Sequence, residues 1–323
     1  MKNIIIFGAT GDTGKYLSIY LKKQFKKTDF KIIAIGRKKT DFFDKNNIEY
    51  IRMDITKKDE FDNLPVKDIY AVIDLAGLMP ARMKGYEPQN YIDVNITGNL
   101  NILEYCRYND IDRILFMQSF GDIKDHAEKN CILTTDSPRK FSFKSDHTIY
   151  VMCKNFTVDL IRHYHEMYGL KSFVFRLPTI YLWSDIDNYY VDGVERKIGY
   201  RLLIEKAINS EEIEVWGNPN RVKDMVYVKD FCQMIYKALL VNRDNGYYNV
   251  GTGVGITLLD QIKGIIEVFS PENNKSLIKF APNKNDAPEY IMDITPAINE
   301  LGYKPEYDYI SMLKDMKSIM NND

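Results

Sequence analysis

A chain of 323 residues, 45% apolar and 28% charged, is long enough to bury a sizeable core, and its composition excludes a largely disordered polymer. Forty-four basic residues against 45 acidic ones leave a formal charge of −1, so no global field draws nucleic acid or an anionic bilayer, and any phosphate binding has to be local. Four cysteines, Cys106, Cys131, Cys153 and Cys232, lack CxxC or zinc-ligand spacing; they read as free thiols in a reducing cytoplasm, and no metal site is expected.

Met1-Lys2-Asn3 leads into Ile4-Ile5-Ile6-Phe7, which stops at Gly8 and is too short for a signal-peptide core. No later run is long enough to span a bilayer, so a cytoplasmic protein without a membrane partner is expected. Short apolar runs then alternate with longer helical patterns, the signature of βαβ units around a parallel sheet. Strands are expected at 3–7, 31–35, 49–53, 71–75, 113–117 and 172–175, with helices at about 13–27, 91–108 and 150–168, the last closing on Gly169. After Pro178 the regularity breaks in an aromatic and charged stretch, 183–200, followed by a helix at about 200–209. A helix at 229–241, a strand at 247–250 and a helix at 258–269 bring the chain back to the main body. The expected fold is α/β: a Rossmann-type doubly wound parallel sheet over 1–178, with a chain return at about 222–255, and a smaller C-terminal substrate lobe drawn mainly from 179–323.

Gly8-Ala9-Thr10-Gly11-Asp12-Thr13-Gly14 follows a strand and opens a helix. Glycines in that setting let a pyrophosphate approach backbone N–H groups and the positive end of the helix dipole, so this loop is the candidate dinucleotide site. NAD-preferring folds place an acid near the end of the second strand to bind the ribose 2′-hydroxyl. Here that strand ends Gly36-Arg37-Lys38-Lys39, and a guanidinium suits a 2′-phosphate, so NADP(H) is favoured with NAD(H) possible.

Tyr150 and Lys154 stand four residues apart, on one helix face, and a nearby cation is expected to lower the tyrosine pKa toward working pH. Ser119 falls just past the strand at 113–117, at the carboxyl end where ligands bind in open α/β sheets. Around this trio, Met53-Asp54-Ile55, Leu75-Ala76-Gly77, Asn95-Ile96-Thr97-Gly98-Asn99-Leu100-Asn101, Arg176-Leu177-Pro178, Lys223-Asp224-Met225-Val226-Tyr227-Val228-Lys229-Asp230, Asn249-Val250-Gly251-Thr252-Gly253 and Leu301-Gly302-Tyr303-Lys304-Pro305 occur in order. In these landmarks the chain resembles the NAD-dependent epimerase/dehydratase family, the extended short-chain dehydrogenases/reductases, over nearly its whole length. Asn99 departs from the family's usual threonine, Lys223 from its usual arginine, and the segment between Ser119 and Tyr150 is somewhat longer than usual.

The resemblance implies that Asp54 contacts adenine, with Ile55 beside it, and that Leu75, Ala76, Gly77, Asn95 and Pro178 line the cofactor. It also implies that Lys154 holds the nicotinamide ribose and lowers the Tyr150 pKa, that Ser119 bonds the reacting oxygen, and that Tyr150 carries the proton while hydride passes to or from a sugar carbon. Dehydratases of the family carry an Asp-Glu pair after the catalytic hydroxyl; Phe120-Gly121 stand there, which disfavours dehydration. A nucleotide-sugar reductase is favoured through Arg37, with a 4-epimerase that retains NAD, or a non-catalytic NADP(H)-binding redox sensor, as alternatives. Arg82, Arg221 and Lys223 are the candidate substrate-diphosphate ligands, with Arg196, Lys197 and Arg201 also available, and Trp183, Tyr189, Tyr190 and Trp216 could stack on a base or sugar. A homodimer through the helices at 91–108 and 150–168 would fit the family.

Overall fold

The computed structural model describes residues 2–26, 28–128, 131–145, 147–191 and 193–321. Its centre is a parallel sheet of seven strands: β1 (Lys2–Phe7), β2 (Phe30–Gly36), β3 (Glu49–Arg52), β4 (Ile69–Asp74), β5 (Arg113–Ser119), β6 (Lys171–Leu177) and β7 (Asn245–Asn249), in the order β7-β6-β5-β4-β1-β2-β3. The order reverses between β1 and β4, and such a switch point opens a crevice at the carboxyl ends of the strands.

Both faces of the sheet are covered, which is why its strands read as continuous apolar runs. Ile4, Ile5, Ile6 and Phe7 are all fully buried, each contributing about 1.5–3 kcal/mol of transfer free energy. Alternation sends Ile4 and Ile6 to one core, with Leu17 and Leu21 of helix α1 (Asp12–Gln24). Ile5 and Phe7 join the other, with Ile102 of α2 (Asn99–Tyr108) and Val158 and Ile161 of α3 (Thr148–Tyr168). Helix α1 ends at Gln24, short of the expected 27, and Lys27 lies outside the described residues.

The helix expected over 91–108 is three pieces: an α-turn at Pro88–Ile92, a π-helical stretch at Asp93–Gly98, and α2. The stretch at 183–200 is not irregular throughout, because Asn188–Val191 and Val194–Lys197 pair as an antiparallel hairpin. The Asp192-Gly193 pair between them is a hairpin signal in the sequence, although Asp192 itself lies outside the described residues.

Beyond the sheet, Ile213–Trp216 runs parallel to Ile278–Ala281, and Ile132–Leu133 pairs with Ile291–Met292. The acids of the stretch 223–230 act as pins. Asp224 accepts hydrogen bonds from the N–H groups of Thr252, Gly253 and Met292, and Asp230, in helix α4 (Val228–Leu240), accepts from those of Glu306 and Tyr307. Among the described residues, no helix is long and apolar enough to cross a membrane.

Candidate active site

At the end of β1 the chain turns at Gly8 with φ +75°, a left-handed conformation natural to glycine. A Cβ there would lie 2.6 Å from the Leu75 carbonyl carbon, and one at Gly14 would lie 2.7 Å from Ala9 Cα. The first glycine thus lets the loop pass against the end of β4, and the last lets α1 close onto the loop. Gly11 caps α1 without a side chain over its first N–H groups, and Thr10 packs against Gly36 of β2. Asp12 and Thr13 open the helix.

Leu75, Ala76 and Gly77 follow β4. Asn95, on the π-helical stretch, clamps the next residue twice, its Oδ1 accepting from Leu78 N–H at 2.8 Å and its Nδ2 donating to Leu78 O at 3.0 Å. Asn99, where the family has threonine, donates to Asn95 O at 2.8 Å, and Asn101 donates to Ile55 O at 2.9 Å. The asparagine-rich helix therefore braces two walls of the crevice.

At the other end of the crevice, a cavity of about 400 Å³ is lined by Arg37, Arg52, Met53, Asp54, Lys57, Glu60 and Asn63. Arg37 Nη1 lies 3.9 Å from Asp54 Oδ2, and Arg52 Nε donates to Arg37 O at 2.9 Å. Asp54 Oδ1 is occupied by the N–H and hydroxyl of Thr56. Of these lining residues, the sequence singled out Arg37 and Asp54 but not Arg52 and Lys57; Arg52 sits opposite Gly36 only through the β2–β3 register.

Ser119 ends β5 and caps the short turn after it, its Oγ accepting from Gly121 N–H at 3.0 Å. Gln118 holds the strand end, its Oε1 accepting from Ser119 N–H and its Nε2 donating to Asn155 of α3. Tyr150, in the first turn of α3, is half-buried, and the Ser119 side chain favours its ionised form. Lys154, one turn on, is buried, with Nζ 4.4 Å above the Phe116 ring. A Cβ on Gly77 would lie 3.4 Å from that Nζ and 3.1 Å from Asn95 Oδ1. Loop, strand end, asparagine and lysine thus converge.

The expectation of a lowered tyrosine pKa does not hold for the chain by itself. Burial pushes Tyr150 up to about 12, and the Ser119 side chain only partly offsets this. Burial pulls Lys154 down to about 8, opposed by the charge of Asp74. Pro178 follows β6 and is buried.

Most of the expected diphosphate ligands have other partners. Arg82 pairs with Asp12 at 3.1 Å, and Arg221 Nε lies 2.9 Å from Asp286 Oδ1, so Arg221 does not stand free to replace the family's arginine. Arg201 lies 3.5 Å over the Trp183 ring and Lys197 pairs with Asp187 and Glu205, while Arg196 is exposed on the hairpin. Tyr189 and Tyr190 are half-buried on that hairpin, and Trp216 is exposed with its indole N–H donated to Glu214. Lys223 faces the rings of Tyr181 and Tyr290, and Tyr290 packs 4.7 Å from Phe120, the neighbour of Ser119. Asp122, the nearest acid after Ser119, is locked in a buried ion pair with Arg176 at 3.0 Å.

Comparison with known proteins bears on the fold and the family. A putative UDP-glucose 4-epimerase of Methanocaldococcus jannaschii is 27% identical over 97% of this chain and 98% of its own length. The crystal structure of a UDP-glucose 4-epimerase from Thermotoga maritima with UDP-glucose superposes with a TM-score of 0.79 at 21% identity, covering 99% of both chains. A UDP-glucuronic acid 4-epimerase from Bacillus cereus in complex with NAD has a TM-score of 0.73 at 18% identity, covering 98% of this chain and 99% of its own. Residues 4–251 match the model of one family. With that match spanning most of its length, the chain belongs to the NAD dependent epimerase/dehydratase family.

Proposed function

We propose that this chain moves hydride between a nicotinamide dinucleotide and a hydroxyl-bearing carbon of a nucleotide-activated sugar, and that 4-epimerisation is the form the reaction takes. The observation that carries the reading is the placement of Ser119 at the end of β5 and of Tyr150 on α3, with the buried Lys154 one helical turn further on. The Methanocaldococcus and Thermotoga relatives, a putative and a crystallised UDP-glucose 4-epimerase, support the choice of reaction. Asp122, committed to Arg176, is poorly placed to serve as a dehydratase acid.

Tyr150 takes the proton of the sugar hydroxyl as the carbon is oxidised and returns it on reduction, Ser119 holds the same oxygen, and Lys154 holds the nicotinamide ribose. A bound oxidised nicotinamide supplies hydride acceptance and a positive charge. A phenol near 12 is a donor at neutral pH, so its work as a base depends on cationic charge arriving beside it. We assign the pyrophosphate to the loop Gly8 to Gly14, and the sugar diphosphate to the side of the crevice where Lys223 stands.

Arg37 favours a second reading, a reductase that exchanges NADP(H), because Arg37, Arg52 and Lys57 together suit a 2′-phosphate. The NAD of the Bacillus enzyme weighs toward the first. Exposed apolar side chains along α2 and α3, Leu100, Met152 and Phe156, support a homodimer.

Denaturing the purified protein and weighing any released dinucleotide separates the two readings. Retained NAD, with UDP-glucose and UDP-galactose interconverted in a proton NMR assay, is the expected result. An empty site that prefers NADPH, with a 4-keto nucleotide sugar reduced, would favour the reductase. Absence of binding by either dinucleotide would refute both.

A further inference from the structure

The trio leaves one buried acid without a role. Asp74 ends β4 at 1% exposure. It follows Val72 on the alternating strand, and Val72 belongs to the apolar cluster beneath α2 and α3, so Asp74 points to the face from which Lys154 descends. Across the sheet it stands opposite Phe116, the ring over which Lys154 Nζ lies. Its Oδ1 accepts from Ala76 N–H at 2.9 Å, which fixes the carboxylate at the head of the turn whose Gly77 lies against the lysine. Burying an unpaired carboxylate costs several kcal/mol, so this placement needs a compensating charge.

Building on the reading of Lys154 as the holder of the nicotinamide ribose, we propose that Asp74 is a positioning residue, keeping the Lys154 side chain charged and directed into the dinucleotide crevice without touching the substrate itself.

The electrostatics agree. Burial lowers Lys154 to about 8 while Asp74 opposes the fall; burial raises Asp74 to about 6 while Lys154 opposes the rise. The other titratable groups facing the pair are Cys106 of α2, Cys153 of α3 and Tyr150, all raised by burial and neutral near pH 7. Both partners are therefore charged between about pH 6 and 8. Above that window the lysine loses its proton, and without Asp74 it loses it at lower pH.

The full chain, grown with isotope-labelled lysine, reports the Lys154 ammonium by NMR, assigned through the resonance missing in Lys154→Arg. The midpoint is expected near 8 in the wild type and lower by about one pH unit or more in Asp74→Asn. For whichever dinucleotide the wild type binds, NADPH or NADH, the variant's affinity should be roughly threefold to tenfold weaker at pH 7.5 and restored at pH 6, where the lysine recharges. An unmoved midpoint in folded Asp74→Asn, or an affinity lost equally at both pH values, would overturn the proposal. Should that variant not fold, Lys154→Met gives the reciprocal test: the Asp74 carboxyl should titrate about one unit higher than in the wild type, and an unmoved carboxyl would overturn it too. A shifted midpoint in a protein that binds neither dinucleotide would support the Asp74–Lys154 coupling and refute the cofactor reading beneath it.

Discussion

Arg37 follows β2 with its side chain 57% exposed and, among the described residues, one distant ion partner in Asp54, so replacing it should leave the packing undisturbed. Arg37→Ser should weaken NADPH binding by about ten- to a hundredfold, the worth of one charge-assisted contact, and leave NADH within about threefold, as read by fluorescence titration. On the proposed reaction, removing the Tyr150 hydroxyl removes the proton carrier. Tyr150→Phe should slow turnover by about 10²- to 10⁴-fold with dinucleotide affinity nearly unchanged; a variant that turned over at the wild-type rate would remove Tyr150 from the chemistry. These residues were legible because each sits at a fixed offset from a strand end or a helix turn. Arg52 and Lys57 were not, since only the register of β3 beside β2 brings Arg52 to Arg37. Nor was the direction of the Tyr150 shift, because helical spacing says nothing about burial, and burial dominates it.

Among elements, the loop after β1 depends on backbone approach. In Gly14→Ala the new Cβ would lie 2.7 Å from both Ala9 Cα and Gly8 O, backbone atoms that cannot rotate away. A loss of about 1–3 kcal/mol in stability is expected, with dinucleotide binding abolished, measurable by thermal melting and titration. The turn after β5 is joined to β6 by the buried Asp122–Arg176 pair. Asp122→Ala leaves a guanidinium buried without its partner and should cost about 3–5 kcal/mol, seen as a lower denaturant midpoint. The long, strongly patterned elements were readable from the sequence: β1 from its isoleucines, α1 from the glycine loop that opens it, α3 from its period and Gly169. Pieces whose partners lie far along the chain were not, such as Ile132–Leu133 on Ile291–Met292, because two residues carry no periodicity. The π-helical stretch at Asp93–Gly98 reads as plain helix, since its apolar pattern shifts by only one residue.

For the whole molecule, the apolar residues exposed on α2 and α3 matter most. Met152 and Phe156 are 49% and 47% exposed, one turn apart on α3. Glutamate at both positions should convert a dimer into a monomer in light scattering without lowering the melting temperature of the fold; an unchanged assembly would place the interface elsewhere. The reaction proposed for the crevice is hydride exchange with a nucleotide sugar. The most direct measurement is absorbance at 340 nm when the dinucleotide-loaded protein is mixed with a panel of UDP-hexoses. A transient rise, reporting reduced nicotinamide, should occur with at least one sugar and vanish in Tyr150→Phe. No change with any sugar, in protein shown to carry oxidised dinucleotide, would contradict hydride transfer from a UDP-hexose.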